Sequence, residues 1–218
     1  MRNERKFEFK KYQLNQIRSY LLLENFNEHY PQRIVNSVYY DDFNFDSFAV
    51  SEAGYLNRSK QRVRWYDNSK SSHLEIKKKY GETGKKEINI YSKNNCHSLS
   101  FHCPFSKNKY LLLIPKSISN KYFPKLIISY KRYYFYNIEK DIRITLDFDI
   151  KTSLLKKYNF QINTSNWFEF QDCVLEVKYL ANDKCEKSQV YLINSISKQF
   201  NLLLSRHSKY CNSVALLY

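Results

Sequence analysis

Cations occupy alternate positions in the stretch RSKQRVRWY, residues 58–66: Arg58, Lys60, Arg62 and Arg64. Side chains two residues apart lie on the same face of a β-strand, so these cations would share one face, with Val63 and Trp65 on the other. Arginine binds phosphate oxygens in pairs, and lysine binds them as a point charge. The stretch therefore indicates a strand that binds a phosphorylated ligand or another polyanion through one face.

Other segments repeat this alternation, and with residues 58–66 they make eight predicted strands: 2–10, 34–42, 73–79, 85–91, 126–136, 141–150 and 173–179. Short links between consecutive segments predict antiparallel pairing. Two interpretations follow. The charged faces could be the solvated faces of a sandwich, or the strands could close into a barrel with the charges inside. The second arrangement requires a lumen filled by water, phosphate and a divalent metal.

The remaining chain contains two predicted helices and one insert. Apolar residues recur at helical spacing in residues 13–23 and 188–204, and Ser188 is a plausible N-cap of the second helix. Residues 92–125 are expected to be irregular. The segment CHSLSFHC within them contains possible zinc ligands, but their spacing matches no common finger. Tyr12, Tyr30 and the aromatics of YYFY (133–136) are expected to pack on the outside.

Composition favours a basic, cytoplasmic, single-domain protein. Lys plus Arg number 36 against 21 Asp plus Glu, a net charge of +15, which predicts a polyanionic partner. The five cysteines include no C-x-x-C pair, which argues against a disulfide framework. No apolar run approaches the roughly 20 residues that span a bilayer, and the N-terminus does not resemble a secretory signal. The sequence gives no indication of oligomeric state.

Several segments resemble, in order, the VTC domain, which is the polyphosphate polymerase branch of the triphosphate tunnel metalloenzymes (the CYTH-like superfamily). They are ERKF, VNSVYYDD, RSKQRVRWY, LEIKKK, SYKRYYF, DIRITLDFDI, VLEVKY and SKY, from about residue 2 to residue 215. The resemblance implies an α+β, mainly β fold. It would be an eight-stranded antiparallel closed β-barrel, the triphosphate tunnel, with helices packed outside, in one domain over residues 1–218. It also implies ATP and inorganic polyphosphate as ligands and Mn²⁺ or Mg²⁺ as cofactor.

The same resemblance assigns the site residues. Phosphate ligands would be Lys6, Arg62, Arg64, Lys77, Lys86, Arg132, Lys178 and Lys209. Lys60 and Arg143 are added as phosphate ligands because alternation puts them on the same charged strand faces. Catalysis would depend on Lys6, Arg62, Arg64 and Glu176, with Glu176 as the metal ligand. Glu4 and Glu75 are candidates for secondary or water-mediated metal ligands. Lys86 is preferred to Lys85, although a shift of one residue would exchange their faces.

Three functions remain open at this point. The first is transfer of the ATP γ-phosphate to a growing polyphosphate chain. The second is hydrolysis of tripolyphosphate or of a nucleoside or RNA 5′-triphosphate, which needs almost the same lumen with water as acceptor. The third is non-catalytic binding of polyphosphate or nucleic acid, which would show steep salt dependence and no ATP consumption. The sequence does not identify the acceptor.

Overall fold

The computed structural model of the chain describes residues 2–67, 69, 71–81, 83–91, 96–105, 109–158, 161–180 and 186–218. The described part is mainly β with four α-helices, an α+β fold. The helices are α1 (Leu14–Leu23), α2 (Asp46–Glu52), α3 (Glu186–Gln199) and α4 (Lys209–Leu217). The strands are β1 (Arg2–Lys10), β2 (Asn27–Asp41), β3 (Asn57–Tyr66), β4 (His73–Tyr80), β5 (Thr83–Asn89), β6 (Cys96–His102), β7 (Lys109–Pro115), β8 (Phe123–Asn137), β9 (Ile142–Tyr158), β10 (Gln161–Thr164), β11 (Phe168–Glu169), β12 (Asp172–Leu180) and β13 (Leu203–Leu204).

All eight predicted strands are present, and β2, β8 and β9 are longer than predicted. The prediction of an irregular insert over residues 92–125 was wrong for β6 and β7, which pair antiparallel. Both alternate: Leu99 and Phe101 are buried on one face of β6, and Leu112 and Ile114 on one face of β7. Residues 92–95 and 106–108 of that insert lie outside the described residues.

The predicted first helix corresponds to α1. The second begins at Glu186, before the predicted N-cap Ser188, and ends at Gln199. Leu203 and Leu204, assigned to that helix by their spacing, instead pair with β1 as β13. The chain's backbone hydrogen bonds thus continue into the sheet where the apolar pattern alone suggested another helical turn.

The residues group into two compact units, and β2, β8 and β9 each contribute a part to both. Unit 1 comprises Met1–Ile34, Tyr130–Ile150 and Phe170–His207. Its strand order is β13-β1-β12-β9-β8-β2. The apolar face of these strands, with residues such as Phe7, Ile144 and Leu175, forms a core with Ile17 of α1 and Ile193 of α3. Because helices cover this face, the charged residues lie on the opposite one.

Unit 2 comprises Val35–Ser129, Lys151–Glu169 and Ser208–Tyr218. It contains the order β2-β3-β4-β5 and the second part of β9 with β10, β6 and β7. The face of β3 that carries Val63 and Trp65 is buried, and Trp65 packs edge-to-face on Phe101 of β6 at 5.5 Å between ring centroids. The opposite face of β3, with its cations, is thereby oriented away from this apolar layer.

Closure of the sheet is not confirmed. Among the described residues the hydrogen-bonded order begins at β13 and ends at β5, and no pairing joins those two strands. The sheet is also mixed, since β10 pairs parallel with β6, and it has thirteen strands rather than eight. No described helix is long and apolar enough to cross a membrane.

Candidate active site

A row of three lysines crosses neighbouring strands of unit 2. Lys60 of β3 lies directly opposite Lys77 of β4, and Lys77 lies directly opposite Lys86 of β5. Like charges at directly opposed positions destabilise a sheet by roughly 0.2–1 kcal/mol per pair relative to neutral residues. A row that repeats this arrangement concentrates positive charge on one face of the sheet. Lys85 lies on the other face and pairs with Glu87 at 3.6 Å.

Arg62 and Arg64 are held beside this row by one carboxylate. Arg62 Nε donates to Glu75 Oε2 at 2.7 Å, Arg64 Nη1 lies 3.9 Å from the same oxygen, and Lys86 Nζ lies 2.6 Å from Glu75 Oε1. Burial raises the pKa of the Glu75 carboxyl, but the charges of Arg62, Arg64 and Lys86 outweigh burial and lower this pKa to about 2. Glu75 is therefore a permanent anion that fixes the arginines.

Residues of β2 complete the support of the two arginines. Arg62 Nη1 donates to the Tyr39 hydroxyl at 2.8 Å, and Arg64 Nε donates to Ser37 Oγ at 3.0 Å. Burial raises the pKa of Tyr39, but Arg62, Arg64 and Lys209 together lower it to about 8. Ser37 and Tyr39 were not among the predicted site residues. The alternation of VNSVYY places both residues on one face of β2, and this pattern could have identified them as neighbours of the arginines.

The start of α4 brings Lys209 and a set of polar groups to the same cluster. Ser208 is the N-cap of α4, and its hydroxyl accepts a hydrogen bond from Lys60 Nζ at 2.7 Å. Lys60 Nζ also lies 3.1 Å from Cys211 Sγ. The Tyr210 ring stacks on Tyr39 at 5.2 Å between centroids, and the Tyr210 hydroxyl donates to the buried Asp41. The helix N-terminus therefore holds Lys60 in place rather than leaving it mobile.

Unit 1 carries a second set of predicted site residues on adjacent strands. Lys6 of β1 lies opposite Glu176 of β12, and Glu4 lies opposite Lys178. On the other side of β12, Thr145 of β9 lies opposite Glu176 and Arg143 lies opposite Lys178. Lys6 Nζ is 3.3 Å from Glu4 Oε1 and donates to the His207 carbonyl oxygen at 3.0 Å, and Lys178 Nζ is 2.6 Å from Glu176 Oε1.

Glu176 is the charged centre of this set. Its side chain is only 12% exposed. Burial raises the pKa of Glu176, but the charges of Lys178, Lys6 and Arg132 outweigh burial and hold it well below its ordinary value. Glu176 is therefore an ionised carboxylate. Arg132 is fixed by a bidentate ion pair with the buried Asp147, in which Nη2 donates to Oδ2 at 2.7 Å.

The chemistry of two donors fits a hard divalent cation in unit 1. Ionised carboxylates and neutral oxygens are the ligands that Mg²⁺ and Mn²⁺ prefer. Glu176 supplies the carboxylate, and the buried Thr145 Oγ1, directly opposite it, has no hydrogen-bond partner. Glu4 lies on the same face two residues from Lys6. The described residues contain no preformed cluster of three or more acidic, histidine or cysteine ligands.

Glu75 and the cysteine–histidine segment fit a metal poorly. Both oxygens of the Glu75 carboxylate contact cations, on Arg62 and Lys86, so metal binding there would displace an ion pair. Cys96 and His102 are the two ends of β6, and six residues at about 3.3 Å each place them roughly 20 Å apart. Cys96 and His102 are close in sequence, but the extended strand places them too far apart to bind one metal ion.

The model of one protein family, the VTC domain, matches residues 1–218. The chain belongs to the VTC domain family. Recognition of this family from short segments of the sequence is thereby confirmed. A search of curated proteins gave no match.

This VTC domain is also similar in fold to solved structures. The PH1819 protein from Pyrococcus horikoshii OT3 is 14% identical with a TM-score of 0.54, over 98% of each chain. A putative adenylyl cyclase from Hippeastrum, described as having a dominant triphosphatase activity, is 13% identical with a TM-score of 0.51, over 99% of this chain and 96% of that one. A putative adenylate cyclase from Vibrio parahaemolyticus is 11% identical with a TM-score of 0.54, over 98% and 97%.

The structure thus places the predicted site residues of the VTC domain in two sets. Unit 1 contains Glu4, Lys6, Arg132, Arg143, Glu176 and Lys178, and unit 2 contains Lys60, Arg62, Arg64, Glu75, Lys77, Lys86 and Lys209. In unit 2, Arg62, Arg64 and Lys86 all contact Glu75. In unit 1, Lys6 contacts Glu4, and Lys178 contacts Glu176. Arg143 is exposed and lies opposite Lys178 by strand register. The roles of these residues stay predictions.

Proposed function

We propose that this VTC domain transfers the γ-phosphate of ATP to a growing inorganic polyphosphate chain with the help of Mn²⁺ or Mg²⁺. The observation that carries the proposal is the opposed row of Lys60, Lys77 and Lys86 beside two arginines fixed by Glu75. This face carries more cations than the one carboxylate of Glu75 neutralises, and a triphosphate would supply further negative charge. The match of the VTC family over residues 1–218 supports one functional domain and phosphoryl transfer as its chemistry.

The residues would act by positioning and charge neutralisation. In phosphoryl transfer the protein acts mainly by positioning the reactants and stabilising charge, so no nucleophile of the chain is required. Arg62 and Arg64, already fixed in the structure, would stabilise the charge that develops on the transferred group without reorganisation. The lysines of unit 2 would bind further phosphate oxygens beside these arginines. Within unit 1, Lys6, Arg132, Arg143 and Lys178 are proposed as phosphate ligands on their own strand face.

Glu176, with Thr145 and Glu4, would hold the divalent cation. When bound, such a cation screens phosphate oxygens and orients them. In the proposed reaction Glu176 needs only to remain ionised, which its surroundings favour at neutral pH. Lys178, 2.6 Å from Glu176 Oε1, would release that oxygen and turn towards phosphate.

The test incubates the purified protein with ATP and Mn²⁺, with and without a short polyphosphate primer, and resolves the products on a gel. Long polyphosphate chains are expected. Lys86→Gln should reduce their formation roughly tenfold or more, because it removes one phosphate ligand and loosens Glu75. Lys85→Gln is the matched control, since the adjacent lysine lies on the other face. Equal effects of the two variants would contradict the assignment of this face.

Triphosphate hydrolysis is the second candidate. It is favoured by the similar fold of the Hippeastrum protein, which is described as having a dominant triphosphatase activity. Release of free phosphate without chain growth in the same experiment would establish hydrolysis. A protein that binds ATP or polyphosphate but consumes neither would instead be a binding module for polyphosphate or nucleic acid.

A further inference from the structure

Tyrosines on β8 share a face with the predicted phosphate ligand Arg132. Residues two apart on a strand point the same way, so Tyr130, Arg132, Tyr134 and Tyr136 lie on one face. The intervening Phe135 is buried in the core of unit 1, and Tyr133 stacks on Phe148 at 5.1 Å. The expectation that the YYFY aromatics are outer packing is therefore met by Tyr133 and Phe135 alone.

The rings on this face are interleaved with guanidinium groups. Arg33 of β2 lies 4.5 Å from the Tyr30 ring centroid and 6.0 Å from that of Tyr134. Tyr30 and Tyr134 meet edge-to-face at 5.5 Å, and Arg132 lies 5.8 Å from the Tyr134 centroid. One continuous set of contacts thus leads from the ion-paired Arg132 to Tyr30.

A parallel set leads away from Lys178. Arg143, directly opposite Lys178, lies 5.5 Å from the Tyr136 ring centroid, and His29 lies 5.9 Å from the same ring. Four residues at about 3.3 Å each put Tyr136 roughly 13 Å along β8 from Arg132. Within unit 1, the predicted phosphate-binding cations Arg132 and Arg143 therefore contact an aromatic cluster on the same strand face.

The cluster is built differently from a packing layer. Tyr30 remains 43% exposed although it contacts Arg33 and Tyr134, whereas the aromatics of the opposite face, such as Phe7 and Phe135, are buried. Tyrosine rings and arginine planes are the side chains on which nucleobases stack, and stacking contributes roughly 1–3 kcal/mol per base.

We infer that Tyr30, Arg33, Tyr134 and Tyr136 form a nucleobase-stacking subsite, so that the ligand of this VTC domain is a nucleoside triphosphate rather than inorganic tripolyphosphate alone. The inference rests on the proposed function, because the phosphates of that nucleotide would bind the neighbouring cations. Stacking reads the flat face of a base, so ATP and GTP should bind with similar affinities.

The test measures binding of ATP and of tripolyphosphate by calorimetry in EDTA, where neither is turned over. Tyr30→Leu and Tyr134→Leu should weaken ATP binding roughly 5- to 150-fold and change tripolyphosphate binding less than about twofold. Tyr30→Phe and Tyr134→Phe, which keep the rings, should restore ATP affinity. Tyr191→Leu, at an exposed tyrosine of α3, is the control.

Other outcomes are equally decisive. Equal loss of both ligands would show that the tyrosines only support the fold, and no loss of ATP affinity in either leucine variant would overturn the subsite. Because Tyr30 is exposed, Tyr30→Leu should fold even if Tyr134→Leu does not, and thermal melting checks this. If the leucine variants lose ATP affinity selectively but the wild-type protein makes no polyphosphate, the proposed polymerase is overturned and the subsite is kept. A protein that binds neither ligand would overturn both.

Discussion

Arg62 donates from Nε to Glu75 Oε2 at 2.7 Å, from the directly opposed position on the neighbouring strand. Glu75 is only 5% exposed, and its other oxygen is 2.6 Å from Lys86 Nζ. A carboxylate so placed sets the position of the cations before any ligand binds. This arrangement makes Glu75 a positioning residue in our proposal, rather than the candidate secondary metal ligand of the sequence prediction.

Glu75→Gln should therefore destabilise the protein and impair phosphate binding together. Removing one member of a buried ion pair leaves uncompensated charge and costs about 3–5 kcal/mol in the free energy of unfolding. Tripolyphosphate should restore more of the melting temperature in the variant than it adds to the wild type, because it replaces the missing anion. Thermal melts with and without tripolyphosphate measure this difference.

The matched control for that variant is Glu87→Gln, which removes a partly exposed carboxylate on the opposite face, 3.4 Å from Lys78. Exposed ion pairs contribute about 0–1 kcal/mol, so its melting temperature should change little. Similar losses in both variants would argue that Glu75 has no special role in ordering the arginines.

The lysine row gives a prediction with two opposite signs. Lys77→Gln should raise the free energy of unfolding by a few tenths of a kcal/mol without ligand, because Lys77 lies opposite both Lys60 and Lys86. The same variant should weaken tripolyphosphate binding and make it less dependent on salt concentration, because one attractive charge is removed. Urea unfolding and calorimetry at several salt concentrations test both signs.

Lys78→Gln serves as control because Lys78 is adjacent to Lys77 and lies on the other face. It should leave the salt dependence of tripolyphosphate binding unchanged. If the two variants behave alike, the cations attract the ligand through net charge alone, and the face assignment is wrong.

Strand faces could be predicted from the sequence wherever alternation was regular. The period-2 pattern of residues 58–66 correctly put Arg62 and Arg64 on one face and Val63 and Trp65 on the other. Lys86, chosen over Lys85 despite the risk of a one-residue shift, lies opposite Lys77. A strand's period is a local property, so a single sequence contains it.

Contacts between strands could not be predicted in the same way. Nothing in the sequence pairs Arg132 with Asp147, or places the Tyr39 hydroxyl on Arg62, because register depends on turns and on packing of the whole sheet. The segment YYFY has no polar residue to reveal its alternation, so its aromatics were all assigned to packing. β13 was missed because its two leucines also fit a helical spacing.

Glu176→Gln should separate metal-dependent turnover from anion binding. Turnover with Mn²⁺ should fall roughly 100-fold or more, since a metal ion contributes several kcal/mol of charge stabilisation. Binding of tripolyphosphate in EDTA should stay or tighten, because one negative charge is removed beside Lys6 and Lys178. Asp172→Asn, at a partly exposed carboxylate paired with Lys10, is the control and should keep turnover. Retained metal dependence in Glu176→Gln would remove Glu176 as a ligand.

Thr145→Val should stabilise the protein without metal and weaken Mn²⁺ binding. Thr145 Oγ1 is buried without a hydrogen-bond partner, a state that costs about 1–3 kcal/mol in folded proteins. Valine has the same shape and no such group. Thr152→Val is the matched control with the opposite sign, because Thr152 Oγ1 donates to the Ile127 carbonyl oxygen at 3.2 Å. A destabilised Thr145→Val, or one with unchanged Mn²⁺ affinity, would contradict the assignment.

Tyr39 should make the stability of the protein depend on pH above neutrality. Burial raises the pKa of Tyr39, but the charges of Arg62 and Arg64 outweigh burial and lower this pKa from 10.0 to about 8 in the folded protein. A lowered folded-state pKa adds stability as pH rises from about 8 to about 10, and this contribution is lost as pH falls through about 8. Two pKa units correspond to about 2–3 kcal/mol.

The measurement compares urea unfolding of the wild type and Tyr39→Phe between pH 7 and pH 10, together with the phenolate absorbance of the folded protein. The wild type should gain stability relative to Tyr39→Phe over that range, and only the wild type should show a phenolate transition near pH 8. Tyr12→Phe, at an exposed tyrosine, should keep that transition. A difference in stability that stays constant with pH would mean that Tyr39 holds Arg62 as a neutral phenol throughout, through the hydrogen bond from Nη1 alone.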